Sequence, residues 1–294
     1  MNKSPFILFG LPLIALSVFT CGSTESAKVP GSPTKEAPTP PGQSGSEDAT
    51  VKSWELVWAD EFDQESINTD NWNFQLVDAG HYNQEWQRYT DSPENAYIED
   101  GALVIRAIHE GDRHGLNKYT SARLNTANKQ AWKYGKIAAR IKLPYGQGIW
   151  PAFWMLGANI NENGGDTPWP QSGEIDILEL YGSKDDAVVE CNLHYANAFD
   201  DHTMMGAVAY ELEEGIFADD FHIFELEWTE ESMAWLVDGQ EYARTSITAD
   251  ELSEFHEEFF LLLNLAVGGT YADYPDETTT FPQYMYVDWV RVYQ

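Results

Sequence analysis

Apolar residues that recur at every second position are what most constrains this chain. In Lys136-Ile137-Ala138-Ala139-Arg140-Ile141-Lys142-Leu143 they place Ile137, Ala139, Ile141 and Leu143 on one face and Lys136, Arg140 and Lys142 on the other. A helix turns its side chains with a period of 3.6, so this alternation fits only a strand with one side in a core. Phe224, Leu226 and Trp228 alternate with Glu225 and Glu227 in the same way, and Asp238-Gly239 after Trp235-Leu236-Val237 predicts a tight hairpin. Phe259 to Leu263 reads as a strand buried on both faces. Asn68 to Trp72 and Asp250 to Phe255 predict short helical turns, and no long helical period appears. Many short strands separated by Gly, Asn and Asp predict an all-β fold of two antiparallel sheets packed face to face, a sandwich or jelly roll. There is no internal repeat and no sign of a second domain within 51–294.

One of these strands carries an unusual load. Gly173-Glu174-Ile175-Asp176-Ile177-Leu178-Glu179 sets three carboxylates in an apolar, β-prone segment. Glu174 and Asp176 share a face, whereas Glu179, an odd number of residues from both, would point away in a regular strand. A β-bulge at Ile177 or Leu178 would restore it to that face and give a row of three acids. Two acids flanking a bound bond are the equipment for glycoside hydrolysis; a calcium site and a solvated strand face are the blander readings of the same cluster.

Charge narrows the partners. Lys and Arg total 17 against 48 Asp and Glu, a formal net charge of −31 that excludes nucleic acid and an anionic membrane surface as working partners and disfavours sulfated polysaccharides. A neutral substrate and a monomer are expected.

The N-terminal part reads differently from the rest. Residues 1–20 carry Lys3 and then an apolar run from Phe6 to Phe19, too short to span a membrane, and are read as a secretion signal. The run ends in Leu16-Ser17-Val18-Phe19-Thr20-Cys21, which resembles a bacterial lipoprotein signal with Cys21 as the lipidated residue, although Thr20 stands where a Gly, Ala or Ser is usual. The expected location is the cell envelope, held by a lipid anchor, with plain secretion as the alternative. Residues 21–50, rich in Ser, Thr, Pro and Gly, bury too little apolar surface to fold and read as a tether. Cys191, the other cysteine, is read as a small buried side chain.

Beyond residue 53 the motifs come in a recognisable order. Trp58-Ala59-Asp60-Glu61-Phe62-Asp63, Asn83-Gln84-Glu85-Trp86-Gln87-Arg88-Tyr89-Thr90, Tyr119-Thr120-Ser121-Ala122-Arg123-Leu124, Trp150-Pro151-Ala152-Phe153-Trp154-Met155-Leu156-Gly157, the Glu174 to Glu179 strand, Asn192-Leu193-His194-Tyr195, Asn264-Leu265-Ala266-Val267-Gly268-Gly269 and Val287-Asp288-Trp289-Val290-Arg291-Val292-Tyr293 together resemble glycoside hydrolase family 16. The likeness is to its laminarinase-like, endo-β-1,3-glucanase branch. The six-residue ExDxxE spacing is shared with agarases and carrageenases, whereas lichenases usually show ExDxE.

The resemblance implies a β-jelly-roll catalytic domain over 51–294 with an open concave cleft, and an endo-acting retaining hydrolase of neutral β-1,3-glucan with no catalytic cofactor. Mixed β-1,3/1,4-glucan is a further substrate it allows. It implies Glu174 as nucleophile, Glu179 as acid/base and Asp176 as the carboxyl between them; Asn83, Glu85, Arg123, Trp150, Trp154 and His194 as substrate-binding residues, with Trp86 and Trp169 weaker; and a structural calcium ion at Glu61, Gly101 and Asp288. Two other functions compete. One is an agarase-like galactan hydrolase; the other is a glucan-binding protein without catalysis, a class that lacks the catalytic glutamates this chain retains.

Overall fold

The computed structural model describes residues 53–294. The signal, the tether and Cys21 lie outside the described residues.

Two sheets form the fold. In the cleft sheet the strands run in the order His202–Met204, Val188–Ala196, Glu174–Glu179, Ile149–Gly157, Phe259–Val267, Arg123–Asn125, Asn73–Phe74, with Val208–Glu211 also pairing to Val188–Ala196. The opposing sheet runs Gln240–Ser246, Ser232–Val237, His222–Trp228, Gly135–Lys142, Gln283–Tyr293, Ala102–His109, Tyr119–Ser121, Gln87–Tyr89. The pairing is antiparallel, as expected, except that Gln87–Tyr89 and Tyr119–Ser121 run parallel.

The alternation read from the sequence is what glues the sheets together. Ile137, Ala139 and Ile141 from one sheet and Phe153, Met155, Ile175, Leu193, Leu261 and Leu263 from the other share one continuous core. Burying each large aliphatic or aromatic side chain contributes about 1.5–3 kcal/mol. The hairpin at Asp238-Gly239 forms with both residues at positive φ (51° and 77°), the conformation that Asp-Gly turns favour. Asn71 and Trp72 both donate their N–H to the Asn68 carbonyl, a single helical turn, and Asp250–His256 forms a 3₁₀ helix. Cys191 is fully buried in the core, where burial pushes its thiol up to about 12.

Phe259–Val267 is buried along its whole length, and the two faces are buried differently. Phe259, Leu261, Leu263, Leu265 and Val267 enter the main core. On the other face Phe260 and Leu262 pack with Leu156 and Ile160, and Ala266 packs with Trp150 and Tyr181. Asn264 sits between these two patches as a lone polar side chain facing the cleft.

Candidate active site

A bulge creates the site. Against the neighbouring strand, Asp176 pairs with Trp154 and Leu178 with Phe153, so Ile177 is the extra residue. On the other side Asp176 pairs with Asn192 and Glu179 with Glu190, three steps on one strand against two on its partner. Ile175, Ile177 and Leu178 therefore all turn into the core while Glu174, Asp176 and Glu179 line the concave face. The bulge is held from behind, because the indole of Trp235, fully buried in the opposite sheet, donates to the Asp176 carbonyl at 2.9 Å.

Register then fixes the neighbours of each acid. Glu174 lies between Leu156 and His194, Asp176 between Trp154 and Asn192, and Glu179 between Ala152 and Glu190. Trp169 Nε1 donates to Glu174 Oε2 at 2.9 Å. Trp150 Nε1 and the Tyr181 hydroxyl donate to the two oxygens of Glu179, each at 2.9 Å. His194 Nε2 lies 3.2 Å from Asp176 Oδ2 and 3.8 Å from Glu174 Oε1, and its Nδ1 is 2.8 Å from His202 Nε2.

Burial sets the protonation of this group. It pushes Glu174 up to about 8, helped by the charge of Asp176 and opposed by His194 and the Trp169 hydrogen bond. Burial, then the charge of Glu179, pushes Asp176 well above the usual carboxylate range. Glu179 is also raised by burial, against the hydrogen bonds from Tyr181 and Trp150. Three carboxyls in one desolvated row cannot all be ionised near neutrality, so they share protons as a unit. Such a group can offer one carboxylate as nucleophile or base and one carboxyl as acid.

The remaining expected residues meet in the same cavity of about 420 Å³, although their roles differ. Trp150 is only 7% exposed and reaches the site as a hydrogen-bond donor to Glu179 more than as a stacking platform. Trp154 donates to Asn264 Oδ1 at 2.7 Å. The Arg123 guanidinium lies 4.6 Å from the Trp154 ring centre and 4.8 Å from that of Tyr82, with its Nε donating to Gln75. Glu85 is buried, and burial raises its carboxyl. Gln87, Tyr89 and Asn83 all donate to it, so it braces the cleft floor beneath Asn83. Trp86 lies outside this cavity and stacks on Tyr274 with ring centres 4.3 Å apart. Trp169, the other weak candidate, is in direct contact with Glu174.

Tyr181, Asn264, Asn192, His202 and Tyr82 also line the cavity and were missed. Two of them had a visible signal. Asn264 is the one polar residue in the run Phe259–Val267, and Tyr181 stands two positions beyond Glu179.

The expected calcium position divides. The strand Leu56–Asp60 and the turn holding Gly101 both flank Gln283–Tyr293, which brings Glu61, Gly101 and Asp288 toward one place on the convex sheet. A bulge between Val287 and Trp289 also takes Asp288 out of the regular ladder. The Glu61 side chain does not fit a metal ligand, however, since both its oxygens accept from Arg291 at 2.8 Å. Asp288 Oδ2 accepts from Arg140 at 2.8 Å. With one oxygen taken by an arginine, the Asp288 carboxylate fits a metal better than the Glu61 carboxylate, which has both taken.

A concave sheet with a bulged row of three shared-proton carboxyls and aromatic donors defines a carbohydrate-cleaving class of site. Residues 80–291 match the model of glycosyl hydrolases family 16, and the chain belongs to that family. It is similar to the catalytic domain of an endo-1,3-beta-glucanase (laminarinase) from Thermotoga petrophila, with 47% identity and a TM-score of 0.71 over 83% of this chain and 99% of that one. It is 38% identical to a beta-glucanase of Rhodothermus marinus, covering 82% of this chain and 85% of the relative. It is 32% identical to glucan endo-1,3-beta-glucosidase A1 of Niallia circulans over 84% of this chain, and there it spans only 39% of the relative's length.

Proposed function

We propose that this protein is an endo-acting, retaining hydrolase of β-1,3-glucan. The observation that carries the reading is the bulged strand that sets Glu174, Asp176 and Glu179 together on the floor of an aromatic-lined cleft. The similarity to laminarinases and β-glucanases supports the substrate. In this reading the Glu174 carboxylate attacks the anomeric carbon while the Glu179 carboxyl protonates the departing oxygen, and Glu179 then takes a proton from the water that releases the sugar. Asp176, 2% exposed and raised by burial, shares a proton with Glu174 and so lets that neighbour ionise beside it. Trp169 orients the nucleophile, and Trp150 and Tyr181 orient the acid/base.

The acids Glu85, Glu162, Glu174, Asp176, Glu179 and Glu190 outnumber Arg123 and Lys184 along the cavity, which suits a neutral glucan over a sulfated chain. The test is product analysis on laminarin, curdlan, lichenan, agarose and carrageenan. Oligosaccharides released from laminarin with β as the initial anomer are expected. Cleavage of agarose alone would move the protein to the galactan branch, initial α-product would discard retention, and binding without cleavage of any of them would leave a recognition protein.

We also propose a metal site and a lipid anchor. A calcium ion sits at the Gly101 and Asp288 position, with Glu61 contributing through its backbone. Cys21 is the lipidated N-terminus of an exported, envelope-anchored protein. Mass spectrometry of the mature chain decides the second, since an N-terminus beyond Cys21 without acyl mass would end it.

A further inference from the structure

Within the cleft, His194 brings an imidazole close to two carboxylates. Its Nε2 is 3.2 Å from Asp176 Oδ2 and 3.8 Å from Glu174 Oε1, and these ligand atoms all lie within 4.8 Å of one another. A tetrahedral zinc ion with bonds of about 2.0–2.1 Å needs donor atoms about 3.3–3.4 Å apart, and the two edges that meet at His194 lie close to that separation. The second observation is Asp176 Oδ2, a fully buried oxygen that makes no hydrogen bond and faces His194. In the tautomer whose Nδ1–H donates to His202, the His194 Nε2 lone pair faces that oxygen and also the Asn192 amide at 3.3 Å, a neutral donor that a metal ion would displace. Two acceptors at that separation attract a cation between them.

We propose that Glu174, Asp176 and His194 form a chelating site for a transition-metal dication, zinc foremost, and that its occupation reversibly blocks the cleft. The donor chemistry selects the metal. An imidazole with two carboxylates suits zinc or copper, whereas calcium requires six to eight oxygens that this pocket does not offer. His202 on Nδ1 is the outer partner that fixes the ring orientation of a metal-bound histidine. The fourth corner opens into the cavity, where water or a sugar hydroxyl would sit. With Glu174 held by the metal, the carboxylate proposed to attack the sugar is withdrawn. Metal binding stands apart from the glucan reading, whereas the inhibition rests on it.

The test titrates zinc chloride into the full-length protein by calorimetry in a non-chelating buffer, followed by laminarin hydrolysis with zinc and then EDTA. One site is expected, weakened at least about tenfold by His194→Ala and by the near-isosteric Glu174→Gln. Wild-type turnover should fall with zinc, recover with EDTA and be protected by added laminarin. Zinc affinity unchanged in both variants, or no heat of binding in the wild type, overturns the site. Binding that persists in a protein unable to cleave laminarin would refute the glucan reading and leave the site standing.

Discussion

Replacing Trp235 by Phe tests whether the bulge is held in place from across the core. The indole nitrogen makes a 2.9 Å bond to the Asp176 carbonyl, and the side chain is fully buried. Phe keeps most of the apolar volume and removes only the donor, so the carbonyl at the bulge is left buried and unpaired. Such a group costs about 1–3 kcal/mol, and the missing part of the ring leaves a small cavity whose cost adds to it. For a domain of this size, about 2 kcal/mol corresponds to a melting temperature lower by about 4–8 °C. The functional effect is separate. An unpinned bulge lets Glu179 shift against Glu174, and misplacement by about 1 Å can cost about a hundredfold in rate. The expected outcome on laminarin is therefore a fall in kcat of about ten- to a hundredfold with KM nearly unchanged, because the residues around the sugar sit on other strands. Calorimetry gives the first quantity and steady-state kinetics the second. A melting temperature that falls as expected beside an unaltered kcat would refute the alignment argument and leave Trp235 a core residue only.

Further outcomes follow from the same geometry. Glu174→Ala should abolish turnover of an activated β-glucoside and give an α-glycosyl azide with added azide, whereas Glu179→Ala should give the β-azide; exchanged products would swap the two roles. Because burial raises Glu174 to about 8 in the folded protein, the native state binds its proton more tightly than the unfolded chain does. Its ionisation therefore costs stability progressively as pH rises from the unfolded value toward 8, and Glu174→Gln should gain melting temperature over the wild type more at about pH 8 than at about pH 5; a gain independent of pH would contradict the desolvation argument. Calcium should raise the melting temperature of the wild type and not of Asp288→Ala, since a ligand bound only by the native state stabilises it; equal melting in calcium and in chelator would remove the site.

Much of this architecture was legible because it rests on local chemistry. The period of two in Lys136 to Leu143, the Asp238-Gly239 turn and the doubly buried Phe259 to Leu263 run each depend on a few adjacent residues. The bulge was legible for a different reason: only an extra residue reconciles three acids with the alternation of a strand. What escaped is the direction in which side chains turn once packed, whether their partners stand near or far along the chain. Trp169 ranked low because nothing near it indicates that its indole folds onto Glu174. Glu85 read as a sugar ligand and does line the cavity, but that Gln87, Tyr89 and Asn83 all donate to it was not legible. Glu61 read as a metal ligand, and the arginine that takes both its oxygens lies 230 positions away. Side-chain pairing of that kind is a property of the finished packing.

The bulge also governs which changes of length the catalytic strand can absorb. Ile177 has no opposite number on the Ile149–Gly157 strand, where Asp176 and Leu178 face consecutive residues. Losing that single residue would leave Glu174, Asp176 and Glu179 on alternate positions of an ordinary strand, with every downstream pairing intact. Deleting any other single residue of the strand would have to be absorbed by that same bulge. A second deletion would have no such reserve and would turn one acid into the apolar core. The strand therefore has one disposable residue, and related chains with either five- or six-residue spacing between their acids can present the same row to a sugar.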